Sequence, residues 1–418
     1  MPKQYQETNV LQAAKQRIKQ SILNYPDYYV SFSGGKDSGV LVELIIEVAT
    51  EIDRLPVKVV FSDLEAIYKR TETYCKYIME KDEVEPYWLC FEEIDQNASS
   101  IYERFFKIWD KSCKDKWVRP MPSMDYVIND DNCPDALKKY LNPSDLSEWS
   151  IEWFGEYLCD KLGIDKICNF IGMRAQESYG RYMAVKTSKN RIKDNGFTYL
   201  TKNGATRTWT SLPIYDWQFS DVWKFYADTG HVYNKVYDDF FRIGIPYANM
   251  RTCAAFGEEQ KSSLWQWSQI EPESWDRLLQ RVEGIGFGGR YNHTNINRGK
   301  VTKPSSITWK EYLDILMGSL PPLAYANYKE KFDITFNYHK VMYEDKLGIS
   351  KDVYIQDSRK DAKNMSEKIG LSIKHFISYE TLCGAIIKRD FVFKKYGFGF
   401  SNKMLERIKN VYKNGVED

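Results

Sequence analysis

The sequence has no paired cysteines. Its eight, Cys75, Cys90, Cys113, Cys133, Cys159, Cys168, Cys253 and Cys383, are scattered without a C-x-x-C pair. That pattern lacks the spacing of a disulfide framework or an iron-sulfur site and fits reduced thiols. Net charge is almost absent as well: 59 Lys plus Arg stand against 58 Asp plus Glu, a formal +1. Whole-chain charge therefore selects no acidic or basic partner, and local clusters must carry any such argument. No apolar run reaches the roughly 18 residues of a spanning helix, and the polar, amphipathic start lacks an apolar signal core. A cytoplasmic protein with no membrane partner is expected. His231, His293, His339 and His375 show no metal-binding spacing such as H-E-x-x-H and are given no ligand or catalytic role. Internal repeats and low-complexity tracts are also missing.

What is present is a chain of 418 residues, 43% hydrophobic and 15% aromatic, enough for a large core divided into two or three domains. Val10, Leu11, Ala14, Ile18 and Ile22 recur at helical spacing and predict an opening helix over Asn9–Leu23. A strand follows at Tyr28–Phe32, then a glycine turn, then the apolar helix Val40–Val48. Further strands are predicted at Val57–Phe61, Tyr87–Phe91, Lys166–Ile171 and Leu212–Tyr215, with helices between them. This alternation indicates an α/β fold with a five-stranded, mainly parallel sheet. Residues 97–147, rich in Trp, Pro and Asp, read as an inserted lid or packing excursion. The segment Lys186–Arg207, with turn signals DNG and KNG, reads as a basic β-hairpin. Past about Gly230 the rhythm becomes mostly helical. The expected division is therefore 1–230, an α/β domain, and 231–418, a helical region with a basic tail. That tail reads either as a solvated helical face or as a nucleic-acid surface.

The glycine turn carries the chemistry. A strand-to-helix turn aims backbone N–H groups and the positive end of the helix dipole at one point, which favours an anion. In S-G-G-K-D-S, Ser33 to Ser38, Gly34 and Gly35 let the backbone approach phosphate oxygens. Lys36 adds a mobile charge, and Ser33 and Ser38 add hydroxyl donors. Asp37 repels phosphate unless it turns away or recruits a metal. The string matches neither G-x-x-x-x-G-K-[ST] nor G-x-G-x-x-G.

These residues resemble the signature of the PP-loop superfamily of ATP pyrophosphatases and phosphoadenosine phosphosulfate (PAPS) reductases, of the HUP, adenine nucleotide α-hydrolase-like type. F-S-D-L-E-A at 61–66 resembles the end of the family's second strand, where the adenosine is held. G-M-R-A-Q-E-S at 172–178 resembles its G-x-R-x-x-E-S segment, whose arginine faces phosphate or sulfate. P-I-Y-D-W at 213–217 resembles the reductase-like branch. The resemblance implies that an adenosine phosphate such as ATP meets Ser31, Phe32, Ser33, Gly34, Gly35, Lys36, Asp37, Ser38, Ser62, Asp63, Leu64, Glu65, Gly172, Arg174 and Glu177. Lys36, Asp37 and Arg174 are the expected catalytic groups, with Cys253 as nucleophile in the reductase reading, and Mg2+ is expected on Asp37 and Asp63. Physically, Arg174 reads as a bidentate phosphate clamp or as a surface ion pair. Asp63 reads as a ribose or magnesium ligand or as a helix cap.

A PAPS reductase works through a cysteine in E-C-G-x-H, a segment this chain lacks. Cys253 alone remains in a region that resembles the cluster-binding segment of related reductases. No iron-sulfur cluster is expected, and Cys253 is either a reactive thiol or an ordinary one. Over most of its length the chain resembles a PAPS-reductase-related branch often called IbrA-like, commonly encoded with a ParB-like partner. The functions implied are ATP cleavage at the α-phosphate on an unknown acceptor, thiol-dependent reduction of PAPS or its relatives, or nucleotide-gated regulation. In the last case the ParB-like protein, or nucleic acid on the Lys186–Arg207 hairpin or the basic tail, is the partner.

Overall fold

The computed structural model describes residues 7–140, 151–187, 191–194, 197–204, 206–252, 255–257, 261–294, 299–345, 350–369, 373 and 376–393. The chain forms two compact units: one comprises Met1–Ile94 with Lys107–Ala254, the other Asp95–Phe106 with Ala255–Asp418. The first therefore runs beyond the expected break at 230.

Helix α1, Val10–Asn24, starts at Asn9, whose Oδ1 accepts from the Gln12 N–H at 2.9 Å. Such a side-chain acceptor satisfies one of the helix's orphan donors. Its buried face carries Ala14, Ile18 and Ile22. The sheet strands are β1 (Tyr28–Ser31), β2 (Val57–Ser62), β3 (Val84–Cys90), β4 (Val127–Asn129), β5 (Ile167–Ile171), β6 (Arg191–Asp194), β7 (Phe197–Lys202) and β8 (Thr208–Ser211). Their spatial order is β4-β3-β2-β1-β5-β8-β7-β6. Pairing is parallel from β4 through β8, and the β6/β7 hairpin joins β8 antiparallel. Strands β1 to β4 progress to one side and β5 and β8 to the other, so the order reverses between β1 and β5. In such a sheet the crevice at the reversal is where ligands bind.

The mainly parallel α/β sheet was legible, but it has eight strands rather than five. The insertion contributes β4, whose Val127 to Asn129 pair with Trp88 to Cys90. The expected strand Leu212–Tyr215 is a buried turn, and the strand is its predecessor, β8. Leu212, Ile214 and Tyr215 are as buried as strand residues, because α1 covers them. Arg17 of that helix donates to Pro213 O at 2.8 Å and grips both carboxylate oxygens of Asp216 at 2.9 and 2.8 Å. The basic hairpin forms as β6 and β7. Its terminal Arg207 is ion-paired with Glu156 and Asp160.

Helix α2, Lys36–Glu51, buries Val40, Leu41, Val42, Leu44, Ile45 and Val48, as its apolar sequence requires. Helix α3 is Lys69–Met79, α4 is Ile151–Leu162, α5 is Phe219–Thr229 and α6 is Val236–Arg242. The second unit is mostly helical. Leu313, Tyr328, Phe332, Tyr343, Tyr354, Ile377, Leu382 and Cys383 share one apolar cluster, which gives Cys383 the packing role its sequence context implies. His375 and the basic tail after Phe393 lie outside the described residues. Among those described, no helix is long and apolar enough to cross a membrane.

Arg17 is 3% exposed, so Arg17→Ala removes a bidentate, largely buried contact. The expected loss is about 2 kcal/mol of first-unit stability, read as a lower midpoint of that unit's thermal transition. An unchanged midpoint contradicts this role in docking α1.

Candidate functional site

The β1 to α2 turn is shaped by Gly34, whose φ is +70°. A Cβ there would stand 2.8 Å from both Cys75 Sγ and Thr71 Cγ2, so a side chain is excluded by conformation and by space. Its carbonyl accepts from Asn234 Nδ2 at 2.8 Å, and the same amide nitrogen donates to Thr71 Oγ1 at 2.9 Å. The Asn234 oxygen accepts from the Val236 N–H at 3.0 Å. One buried side chain thus joins the loop to the starts of α3 and α6.

The first turn of α2 is held by two phenols. The Lys36 N–H donates to Tyr237 Oη at 3.1 Å, and Tyr226 Oη donates to Lys36 O at 2.8 Å. Burial pushes both hydroxyls above the ordinary tyrosine range, which keeps them protonated. Ser33 and Ser38 hydroxyls bond each other at 3.0 Å, and Ser38 also donates to Gly35 O at 3.1 Å.

Across the crevice, β5 is followed by Gly172, where a Cβ would come within 3.0 Å of the Ser38 backbone. This contact brings the 172–177 segment against the loop. Arg174 Nε donates to Asp37 Oδ1 at 2.6 Å, and Lys36 Nζ donates to Asp37 Oδ2 at 3.1 Å and to Met250 O at 3.4 Å. Asp37 therefore turns onto two cations. Glu177 accepts from the Arg174 N–H at 3.1 Å and pairs with Arg181, while Arg251 donates to Glu177 O at 2.9 Å. Lys36, Arg174, Arg181 and Arg251 face Asp37 and Glu177: four positive charges against two negative.

The structure thus brings Ser33 to Ser38, Gly172, Arg174 and Glu177 together. Phe32 is a core ring against Phe61 and Tyr74, and Ser31 donates to Asn169 Oδ1 at 2.7 Å. Asp63 and Glu65 are engaged elsewhere. The buried Asp63 carboxylate accepts from Trp88 Nε1 at 2.7 Å and the Glu65 N–H at 3.0 Å, and pairs with Arg119. Glu65 receives the Trp109 and Val118 N–H groups at 2.9 and 3.1 Å. Both acids anchor the insertion, which leaves the half-buried Ser62 and Leu64 as the open members of that stretch. Cys253 lies outside the described residues.

The donor set does not make a cation site. Both Asp37 oxygens meet cations, Asp63 is closed by Arg119, and no cluster of three His, Cys, Asp or Glu residues suits a metal among the described residues. A phosphate fits better, given the glycine turn and the excess of positive charge.

Residues 27–245 match the phosphoadenosine phosphosulfate reductase domain model. The chain belongs to this PAPS reductase domain family. Residues 244–407 match a domain of unknown function, DUF3440. An Escherichia coli K12 relative, "Uncharacterized protein YbdN", is 33% identical over 339 residues, spanning 79% of this chain and 80% of its own. Solved structures with similarity include a PAPS reductase from Candida auris in complex with phosphate (12% identity, 54% of this chain and 84% of that one, TM-score 0.28). A Candida glabrata FMN adenylyltransferase in complex with FMN and an ATP analogue is 14% identical, covering 56% of this chain and 62% of that one, with a TM-score of 0.32. The PAPS reductase relationship expected from the motif is met by the domain match.

Asn234, Thr71, Tyr226, Tyr237 and Arg119 escaped the motif reading. Only Asn234, an Asn just ahead of a helix, carried a local signal. Asp63→Ala leaves the Arg119 guanidinium buried with Glu72 at 3.7 Å as its remaining acid. It is expected to cost about 3 kcal/mol in chemical denaturation of the first unit, and no loss of stability would contradict the anchoring role.

Proposed function

We propose that this PAPS-reductase-domain protein binds ATP at Ser33–Ser38 and cleaves it at the α-phosphate, transferring the adenylate to an acceptor. The observation that carries this reading is the run Lys36–Asp37–Arg174 across the β1/β5 crevice. Two cations, 6% and 5% exposed at the side chain, are held ready by one carboxylate. A polyphosphate entering the turn replaces Asp37 as their partner. Lys36 then neutralises the β- and γ-phosphates, and Arg174 faces the α-phosphate.

An acceptor oxygen forms a bond to the α-phosphorus while the bond to the bridging oxygen breaks. The electron pair leaves with pyrophosphate, and any acceptor proton passes to solvent. Catalysis is by positioning and charge neutralisation. Glu177 accepts from the Arg174 backbone and so orients it. Ser62 and Leu64, at the end of β2, are the groups left for the adenosine. Magnesium, where ATP carries it, is held by the phosphates, and no step is assigned to a protein-bound ion.

Six of the described cysteines are poor candidates for a reducing thiol, while Cys253, the expected nucleophile, lies outside the described residues. Burial pushes the thiols of Cys75, Cys90 and Cys168 well up, those of Cys133 and Cys159 to about 11, and that of Cys383 to about 12. A raised thiol holds little thiolate near neutrality.

Wild type is expected to release pyrophosphate and AMP or an adenylated product from ATP. Lys36→Ala should weaken ATP binding about tenfold or more in calorimetric titration, and Arg174→Ala should lower turnover about a hundredfold. Release of inorganic phosphate and ADP, or thiol-dependent sulfite release from PAPS, contradicts the proposal.

A further inference from the structure

Beside the loop lies a cleft of about 390 Å3, a size within the range of about 300–1,000 Å3 typical of small-ligand sites. Two of its walls belong to the phosphate loop's own surroundings. Tyr237 places its ring 5.0 Å below Lys36 Nζ, and Met250 supplies the carbonyl at 3.4 Å from the same ammonium. The cleft and the proposed phosphate site therefore meet at one cation.

Its remaining lining is mostly aromatic, with Asp238, which accepts from Tyr233 Oη at 2.8 Å, and Arg242 beside the rings. Phe241 and Tyr247 stack with ring centroids 5.4 Å apart and planes 19° from parallel, yet they are 57% and 52% exposed. Two large rings held flat and left open present a stacking surface. Trp223, also in the lining, has a buried indole N–H with no hydrogen-bond partner. Its ring packs edge-on against Tyr233 and Tyr237, with centroids 5.3 and 5.6 Å away. Arg242, 65% exposed at the side chain, is paired with Asp239 at 2.8 Å. Aromatic faces and a neighbouring ammonium suit a flat ring with an acidic tail.

We propose that this cleft receives the acceptor, a small molecule with a planar aromatic ring system and an anionic group directed at the loop. The proposal rests on the loop reading and names the class of the second substrate. Among the described residues, the acids at the loop, Asp37 and Glu177, are both ion-paired, and an anionic acceptor oxygen has no proton to lose.

The test is calorimetric titration of the full chain with cytidine monophosphate, guanosine monophosphate and flavin mononucleotide, three probes of increasing ring size, with and without a non-hydrolysable ATP analogue. At least one probe is expected to saturate wild type. Phe241→Ala and Tyr247→Ala, both at exposed rings, should each weaken that probe about tenfold, the order of a single stacking contact, with analogue affinity within about twofold of wild type. Failure of all three probes at millimolar concentration overturns the proposal, as does a probe indifferent to both substitutions. Parallel loss of the analogue also overturns it, because the cleft would then hold the nucleotide's own base. An analogue that never binds wild type defeats the loop reading instead, while the effect of Phe241→Ala on the probe still decides the cleft.

Discussion

The end of β1 depends on the carbonyl of Gly34, turned by a left-handed residue and captured by the Asn234 amide. That bond does more than close a turn. The same nitrogen reaches Thr71 in α3, and the same side chain accepts from the start of α6. Three segments far apart in sequence are set by one amide, and in a buried setting each of its bonds is costly to lose. Within the turn the Ser33 N–H donates to Ser38 Oγ at 3.3 Å. Tyr237 and Tyr226 fix the first residue of α2 through its N–H and its carbonyl.

Charge follows from that geometry. Gly172 allows the segment after β5 to approach the loop, and this approach brings Arg174 to Asp37. Asp37 lies between Lys36 and Arg174, and in the proposed mechanism a polyphosphate displaces it. Acids after β2 have a different task. Asp63 and Glu65 hold Trp109, Val118 and Arg119, so the insertion is tied to the sheet by buried hydrogen bonds rather than left as a lid.

Much of this arrangement could be read from local pattern. The glycine string, its position between strand and helix, and the later arginine all depend on neighbours in sequence, so motif spacing exposes them. Parallel strands were legible because fully buried strands are continuous apolar runs. Leu212–Tyr215 misled for the same reason, since a turn covered by α1 is as apolar as a strand. Strand β4 was hidden because three residues carry no period. Asn234 and Tyr237 contact the loop across about two hundred positions, and the acids at 63 and 65 meet partners more than forty residues on. Such long-range pairings leave no mark in a single sequence.

A crystal structure of the full chain with α,β-methylene ATP tests the central claim most directly. The account predicts the triphosphate on the N–H side of the Gly34–Gly35 turn, with Lys36 released from Asp37 onto the β- and γ-phosphates and Arg174 within hydrogen-bonding distance of the α-phosphate. A nucleotide bound away from the β1/β5 crevice, or one whose phosphates leave both Lys36 and Arg174 on Asp37, would contradict it.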